Sequence, residues 1–74
     1  MDETPQPGFI YRHYKGNTYK VLHIAQDVNH SQIQWVIYQS NIDPEGKVWA
    51  RELKDFTEIL GSPGSQFYRF ERVF

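Results

Sequence analysis

Cysteine is absent from the 74 residues. Its absence excludes disulfide staples, thiolate nucleophiles and cysteine-based zinc sites. Also absent is any apolar run close to the ~18 residues that a membrane-spanning helix requires. The opening Met1-Asp2-Glu3-Thr4-Pro5 lacks the basic start of a secretory leader, so the cytoplasm is the expected compartment. Neither sign of charge prevails: eight Lys and Arg stand against nine Asp and Glu, a formal net charge of −1. Proteins that grip nucleic acid regardless of sequence neutralise many phosphates, so strong non-specific nucleic-acid binding is not expected.

What the chain does have is rings: two Trp, five Tyr and five Phe, 16% of the residues. A chain of this length has room for one core and no second domain. It buries only about 60% of the surface its unfolded form exposes, so so many large rings cannot all be hidden. Exposed aromatic surface favours recognition, which directs the search for function to the surface or to a shallow groove.

Residues 1–8, MDETPQPG, carry prolines, a glycine and polar side chains and read as a flexible lead-in; the domain is expected over 9–74. Phe9 to Tyr14 is β-prone, Lys15-Gly16-Asn17 marks a turn, and Thr18 to Ala25 continues as a second strand. A polar stretch from Gln26 to Ser31 separates this hairpin from Gln32 to Gln39, where Ile33, Trp35 and Ile37 alternate with Gln34, Val36 and Tyr38. Asp43-Pro44-Glu45-Gly46 reads as a turn and Lys47 to Arg51 as a fourth strand. Leu53, Phe56 and Leu60 recur at helical intervals in a segment too short for more than one or two turns, with Gly61 to end it. Gln66 to Val73 alternates again as a last strand. Mainly β, with five short strands and one helical turn before the fifth, is the order of a small SH3-like barrel. The alternative, an OB-fold, needs a helix where this chain has only the turn at Asp43–Gly46.

Two constellations stand out. Tyr11-Arg12-His13-Tyr14-Lys15 is dense in hydrogen-bond donors and π faces, which suits phosphate, nucleotide or acidic peptide ligands; as a plain structural segment it would be a half-buried strand whose long side chains lie along apolar neighbours. In the second hairpin, pairing Ile42 with Lys47 sets Tyr38 opposite Arg51 with Trp49 on the same face, and sends Trp35, Ile37, Val48 and Ala50 to the other. With the second face assigned to the core, Tyr38, Trp49 and Arg51 form a partly exposed group: rings for a planar or cationic moiety, and a guanidinium able to hold a carboxylate or phosphate through two parallel bonds. The competing explanation pairs Arg51 with Glu52 or Glu71 and uses Trp49 to close the barrel.

His13, His23 and His30 lack the i, i+2 or i, i+4 spacing that aims two imidazoles at one ion, so no metal site is expected, and no cofactor motif is present. There is no nucleophile elbow or phosphate-binding glycine loop. The expectation is a binding module for a small anionic or planar ligand or a short peptide, monomeric or weakly self-associating. Its alternatives are a protein–protein adaptor and a small enzyme with His13 as acid or base.

Taken together, Gly8-Phe9-Ile10-Tyr11-Arg12-His13-Tyr14-Lys15-Gly16, Tyr19-Lys20-Val21-Leu22, Val36-Ile37-Tyr38, Val48-Trp49-Ala50-Arg51, Phe56 and Arg69-Phe70 resemble the bacterial domain-of-unknown-function family 1653. The likeness extends over nearly all of residues 8 to 72. It implies a stand-alone SH3-like β-barrel and brings no activity or ligand with it. Glu52, where a proline often follows the arginine, and Ser40-Asn41, in place of a more apolar pair, depart from the family's pattern.

Overall fold

The computed structural model describes residues 4–43 and 45–74. Strands β1 (Ile10–His13), β2 (Thr18–Gln26), β3 (Gln34–Ser40) and β4 (Val48–Glu52) form an antiparallel meander. A single helical turn, α1 (Leu53–Phe56), and a two-residue ribbon, β5 (Ile59–Leu60) with β6 (Phe67–Tyr68), follow. β7 (Phe70–Arg72) then returns to pair with β1, so the sheet runs β4-β3-β2-β1-β7. The protein is thus mainly β, with a five-stranded sheet and a helical turn ahead of the last strands. The expected fifth strand is in fact two pieces. The chain changes partner at Arg69: its N–H donates to the Glu58 carbonyl (3.0 Å) beside β5, and its carbonyl accepts the Tyr14 N–H (3.0 Å) beside β1, while its side chain reaches the Asp55 carbonyl and the Glu58 carboxylate.

The helix is likewise shorter than the Leu53–Leu60 spacing allows. Thr57 ends it: its N–H and its hydroxyl both donate to the Leu53 carbonyl, at 3.0 and 2.9 Å. Ile59 and Leu60 are then free to pair with Tyr68 and Phe67.

The core consists of Tyr11, Val21, Val36, Tyr38, Phe56 and Phe70, with Phe9, Tyr19, Ile24 and Leu53 packed around it. Phe56 and Phe70 stack with centroids 4.0 Å apart and planes within 6°. Tyr11 and Tyr38 meet Phe56 edge-on at 5.1 and 5.6 Å, the geometry that ring quadrupoles favour. Val36 and Tyr38 therefore face inward, the reverse of the assignment that put Trp35 and Ile37 in the core. Both faces of β3 are apolar enough to be buried. Which one is covered is decided by α1 and β7, which bring Phe56 and Phe70 to the Val36 side.

Both hairpins differ in register from the tight-turn expectation. Tyr11 pairs with Tyr19 and Arg12 with Thr18, across a loop closed by His13 N–H to Asn17 O (2.8 Å) and Gly16 N–H to His13 O (2.7 Å). Three residues of slip exchange the faces, and Tyr11 goes inward with Tyr19. In the second hairpin Tyr38 pairs with Trp49, not Arg51. This slip is of two residues, so Tyr38, Trp49 and Arg51 still share a face. The turn is closed by Gly46 N–H to Asp43 O (3.0 Å); its Pro44 lies outside the described residues. In β2 one extra residue sits between the Val21–Tyr38 and His23–Ile37 pairs. This bulge lets the inward set pass from Tyr19 and Val21 to Ile24.

Residues 5–8, read from composition as part of a lead-in, pack onto the domain: Pro5 is buried and the Gly8 N–H donates to the Val21 carbonyl at 2.9 Å. Residues 1–3 lie outside the described residues. No helix among the described residues is long and apolar enough to cross a membrane.

Candidate functional site

The eight side chains singled out from the sequence separate into four settings. Tyr11 and Tyr38 are core residues, so their rings are not open to a ligand. Arg12 and Tyr14 are exposed along a groove of about 760 Å³ that they line together with His13, Phe67, Tyr68 and Glu71. Lys15 lies over the Tyr14 ring at 5.8 Å. Trp49, 48% exposed, lines a second cleft of about 370 Å³ with Tyr19, Thr18 and Ser40, where Lys47 approaches its ring at 5.9 Å. The two depressions have no lining residue in common.

His13 and Arg51 are brought together. His13 ends β1 opposite Phe70 and meets that ring edge-on at 4.9 Å. The Arg51 guanidinium lies over the same ring, Cζ to centroid 5.5 Å, and its Nε–H donates to the Tyr38 hydroxyl at 3.4 Å. A buried ring that stacks on Phe56 is thus also the seat for a guanidinium and an imidazole. Phe70 was legible as a strand residue but not as this platform, because the platform exists only once β7 has returned to β1.

Arg51 is half-buried, and among the described residues no carboxylate pairs with it: the ion pairs there are Arg69 with Glu58 (2.8 Å) and His30 with Asp27 (3.0 Å). The anticipated partners Glu52 and Glu71 do not take that role. The field around His13 is consequently positive. Loss of solvent, then the charges of Arg51, Lys15 and Arg69, hold its pKa below the ordinary imidazole value, as expected where charging means adding a cation among cations. The Lys15 N–H donates to His13 Nδ1 at 3.1 Å, so the neutral ring carries its proton on Nε2 and offers an N–H donor there.

Away from this face, Asp27 organises the β2–β3 loop. One carboxylate oxygen accepts the Trp35 indole N–H (2.9 Å); the other accepts the backbone N–H groups of Asn29 and His30 and contacts His30 Nδ1. These bonds, led by that from Trp35, lower its pKa to about 2. His30 is therefore committed to a loop, and no group of three or more metal-ligating side chains gathers among the described residues.

This geometry belongs to a chain whose residues 9–72 match the family described as protein of unknown function (DUF1653). The chain belongs to that family. The match spans all the elements from β1 to β7 and therefore the whole of the Arg51, His13 and Phe70 arrangement. No curated protein and no solved structure matches the chain. Membership in DUF1653 thus brings no chemistry with it.

Proposed function

We propose that this DUF1653 domain is a binding module that takes a small anionic ligand, or the acidic group of a short peptide, on the Arg51 guanidinium, with a planar portion of the ligand against Trp49. The observation that carries this reading is Arg51 itself: half-buried, seated on Phe70, tethered by Tyr38 through one nitrogen, and without a carboxylate among the described residues. Removing a charge from water is unfavourable unless a partner compensates, and a carboxylate or phosphate supplies that partner through parallel charge-assisted bonds. Trp49 stands on the same face, paired with Tyr38, and its cleft has room for a planar group beside Tyr19. The expected setting is a bacterial cytoplasm, with the protein a monomer or weakly self-associating.

A second reading, an adaptor or self-association surface, is favoured by β4, an edge strand with three consecutive exposed residues, Val48, Trp49 and Ala50. An enzyme with His13 as base is the third, with less support, because the side chains that perturb His13 are cationic and none is a carboxylate to orient it. The test is a heteronuclear NMR screen against nucleotides, short nucleic acids, acidic peptides and methylated lysine. Saturable shifts at the Arg51 Nε–H and the Trp49 indole, lost in Arg51→Met, are expected. Shifts confined to the Tyr14–Phe67 groove, or surviving in Arg51→Met, would refute the reading.

A further inference from the structure

His13 is more than a neighbour of Arg51. Its ring is fixed by three contacts: edge-on to Phe70 at 4.9 Å, tilted against Tyr14 at 4.5 Å, and bonded at Nδ1 by the Lys15 N–H. From β4 it is faced by Arg51, from the link between β6 and β7 by Arg69, and from its own loop by Lys15. Of the acids in this region, Glu58 is turned onto Arg69 at 2.8 Å, and Glu71, which lines the β1 groove with His13, pairs in register with Arg12. The rings of Tyr14 and Phe70 supply no charge. Every ionic influence that perturbs His13 is therefore positive, and the Phe70 ring that seats Arg51 also seats the imidazole.

Two like charges on one platform repel until something negative lies between them. An anion held by Arg51 reverses the sign of the field at His13 and gives a protonated imidazole a partner. We infer that His13 is the second contact to the anion bound at Arg51, and that it makes this contact as imidazolium, so that the ligand binds together with one proton. The inference rests on the anion-site reading of Arg51 given above. In the free protein, burial and the surrounding cations favour the neutral ring. Linkage then fixes the size of the effect: for each unit by which the anion raises the His13 pKa, it binds about tenfold more tightly to the protonated protein. There is also a structural consequence. A proton on Nδ1 turns an acceptor into a donor, so the Lys15 N–H loses this bond while the backbone bonds that close the loop from His13 to Asn17 remain.

Sulfate is a suitable probe because it stays fully ionised across the range in which imidazole titrates, roughly pH 5 to 8, so that any pH dependence belongs to the protein. It is titrated into the full chain at several pH values, following the Arg51 Nε–H, the Lys15 amide and the Cε1–H signals of the three histidines. The expected result is an affinity that rises about tenfold or more from pH 8 to pH 5. The His13 pKa should rise on saturation, and the Lys15 amide should shift with the protonation of His13. His13→Gln, which keeps a donor but cannot titrate, should bind with one affinity throughout. If wild type binds sulfate at Arg51 with the same affinity across the range, or if H13Q keeps the pH dependence, the proton-linked role of His13 is wrong while the anion site stands. If sulfate shifts nothing at Arg51 at any pH, the anion site and the inference fall together. Should H13Q disturb the loop, the wild-type His13 titration with and without sulfate decides the same question.

Discussion

Phe56 is the residue on which core and site both depend, and its replacement tests the account of the fold most directly. Its ring is fully buried and contacts Phe70, Tyr11 and Tyr38 at 4.0, 5.1 and 5.6 Å. Phe56→Ala removes the ring and leaves a cavity beneath Phe70, which for a buried phenylalanine costs about 3–5 kcal/mol. A domain of this size holds roughly 4–11 kcal/mol in total, at about 0.05–0.15 kcal/mol per residue, so the variant should be close to unfolding at room temperature. Phe56→Leu keeps much of the volume but loses the ring pairs, each worth about 0.5–1.5 kcal/mol beyond the area buried. A net cost of about 2 kcal/mol, a fall in Tm of roughly 10–15 °C, follows from the usual 4–8 °C per kcal/mol in domains this small. Thermal and urea unfolding, followed by near-ultraviolet circular dichroism, measure both. An F56A protein that lost less than about 1 kcal/mol would refute the placement of α1 over the Val36 and Tyr38 face.

Three further expectations concern the loop, the turn and the tether. Asp27 has its pKa lowered in the folded state to about 2, so its contribution to stability is complete above pH ~4 and is lost as the pH falls towards 2; Asp27→Asn should be less stable than wild type at neutral pH and lose less between pH ~4 and ~2, as read by urea midpoints, and an unchanged acid slope would contradict this. Gly61 adopts φ +94° and a Cβ there would fall onto the Ser65 carbonyl oxygen, so Gly61→Ala should cost about 1–3 kcal/mol, whereas a neutral effect in chemical denaturation would show that the β5–β6 ribbon adds little. Tyr38→Phe removes the hydroxyl that accepts from Arg51 Nε and should weaken sulfate binding a few-fold while changing stability by no more than about 1.5 kcal/mol; a titration showing undiminished affinity would mean that Arg51 is not held by this bond.

The class of fold was readable because the alternation in each strand and the turn signals are local. The facing of the strands was not. Trp35-Val36-Ile37-Tyr38 offers two apolar stripes, and the choice between them is made by Phe56 and Phe70, which lie far along the chain. In the first hairpin Gly16-Asn17 suggests a tight turn, but a five-residue loop is stabilised instead by backbone bonds of His13 and by its ring nitrogen. That slip buries Tyr11, which composition alone had placed among the ligand contacts. Arg51 and Trp49 emerged from the sequence with the correct shared face, because an error of two residues preserves parity. Their association with His13 could not emerge, since it requires β1, β4 and β7 to meet over one ring.

The return of β7 to β1 also bears on how the chain is made. A ribosome releases Tyr11, Tyr19, Val36 and Tyr38 well before it releases Phe56 and Phe70, and until the last strand arrives the first has no neighbour on its outer edge. A partly synthesised chain therefore exposes the tyrosine rings that Phe56 and Phe70 cover in the finished domain, and pairings so distant in sequence form slowly. Folding on the ribosome is expected to be deferred until Phe70 has emerged. A chain shortened by only the last five residues, which removes Phe70, should then behave as a substrate for chaperones and proteases, not as a smaller domain.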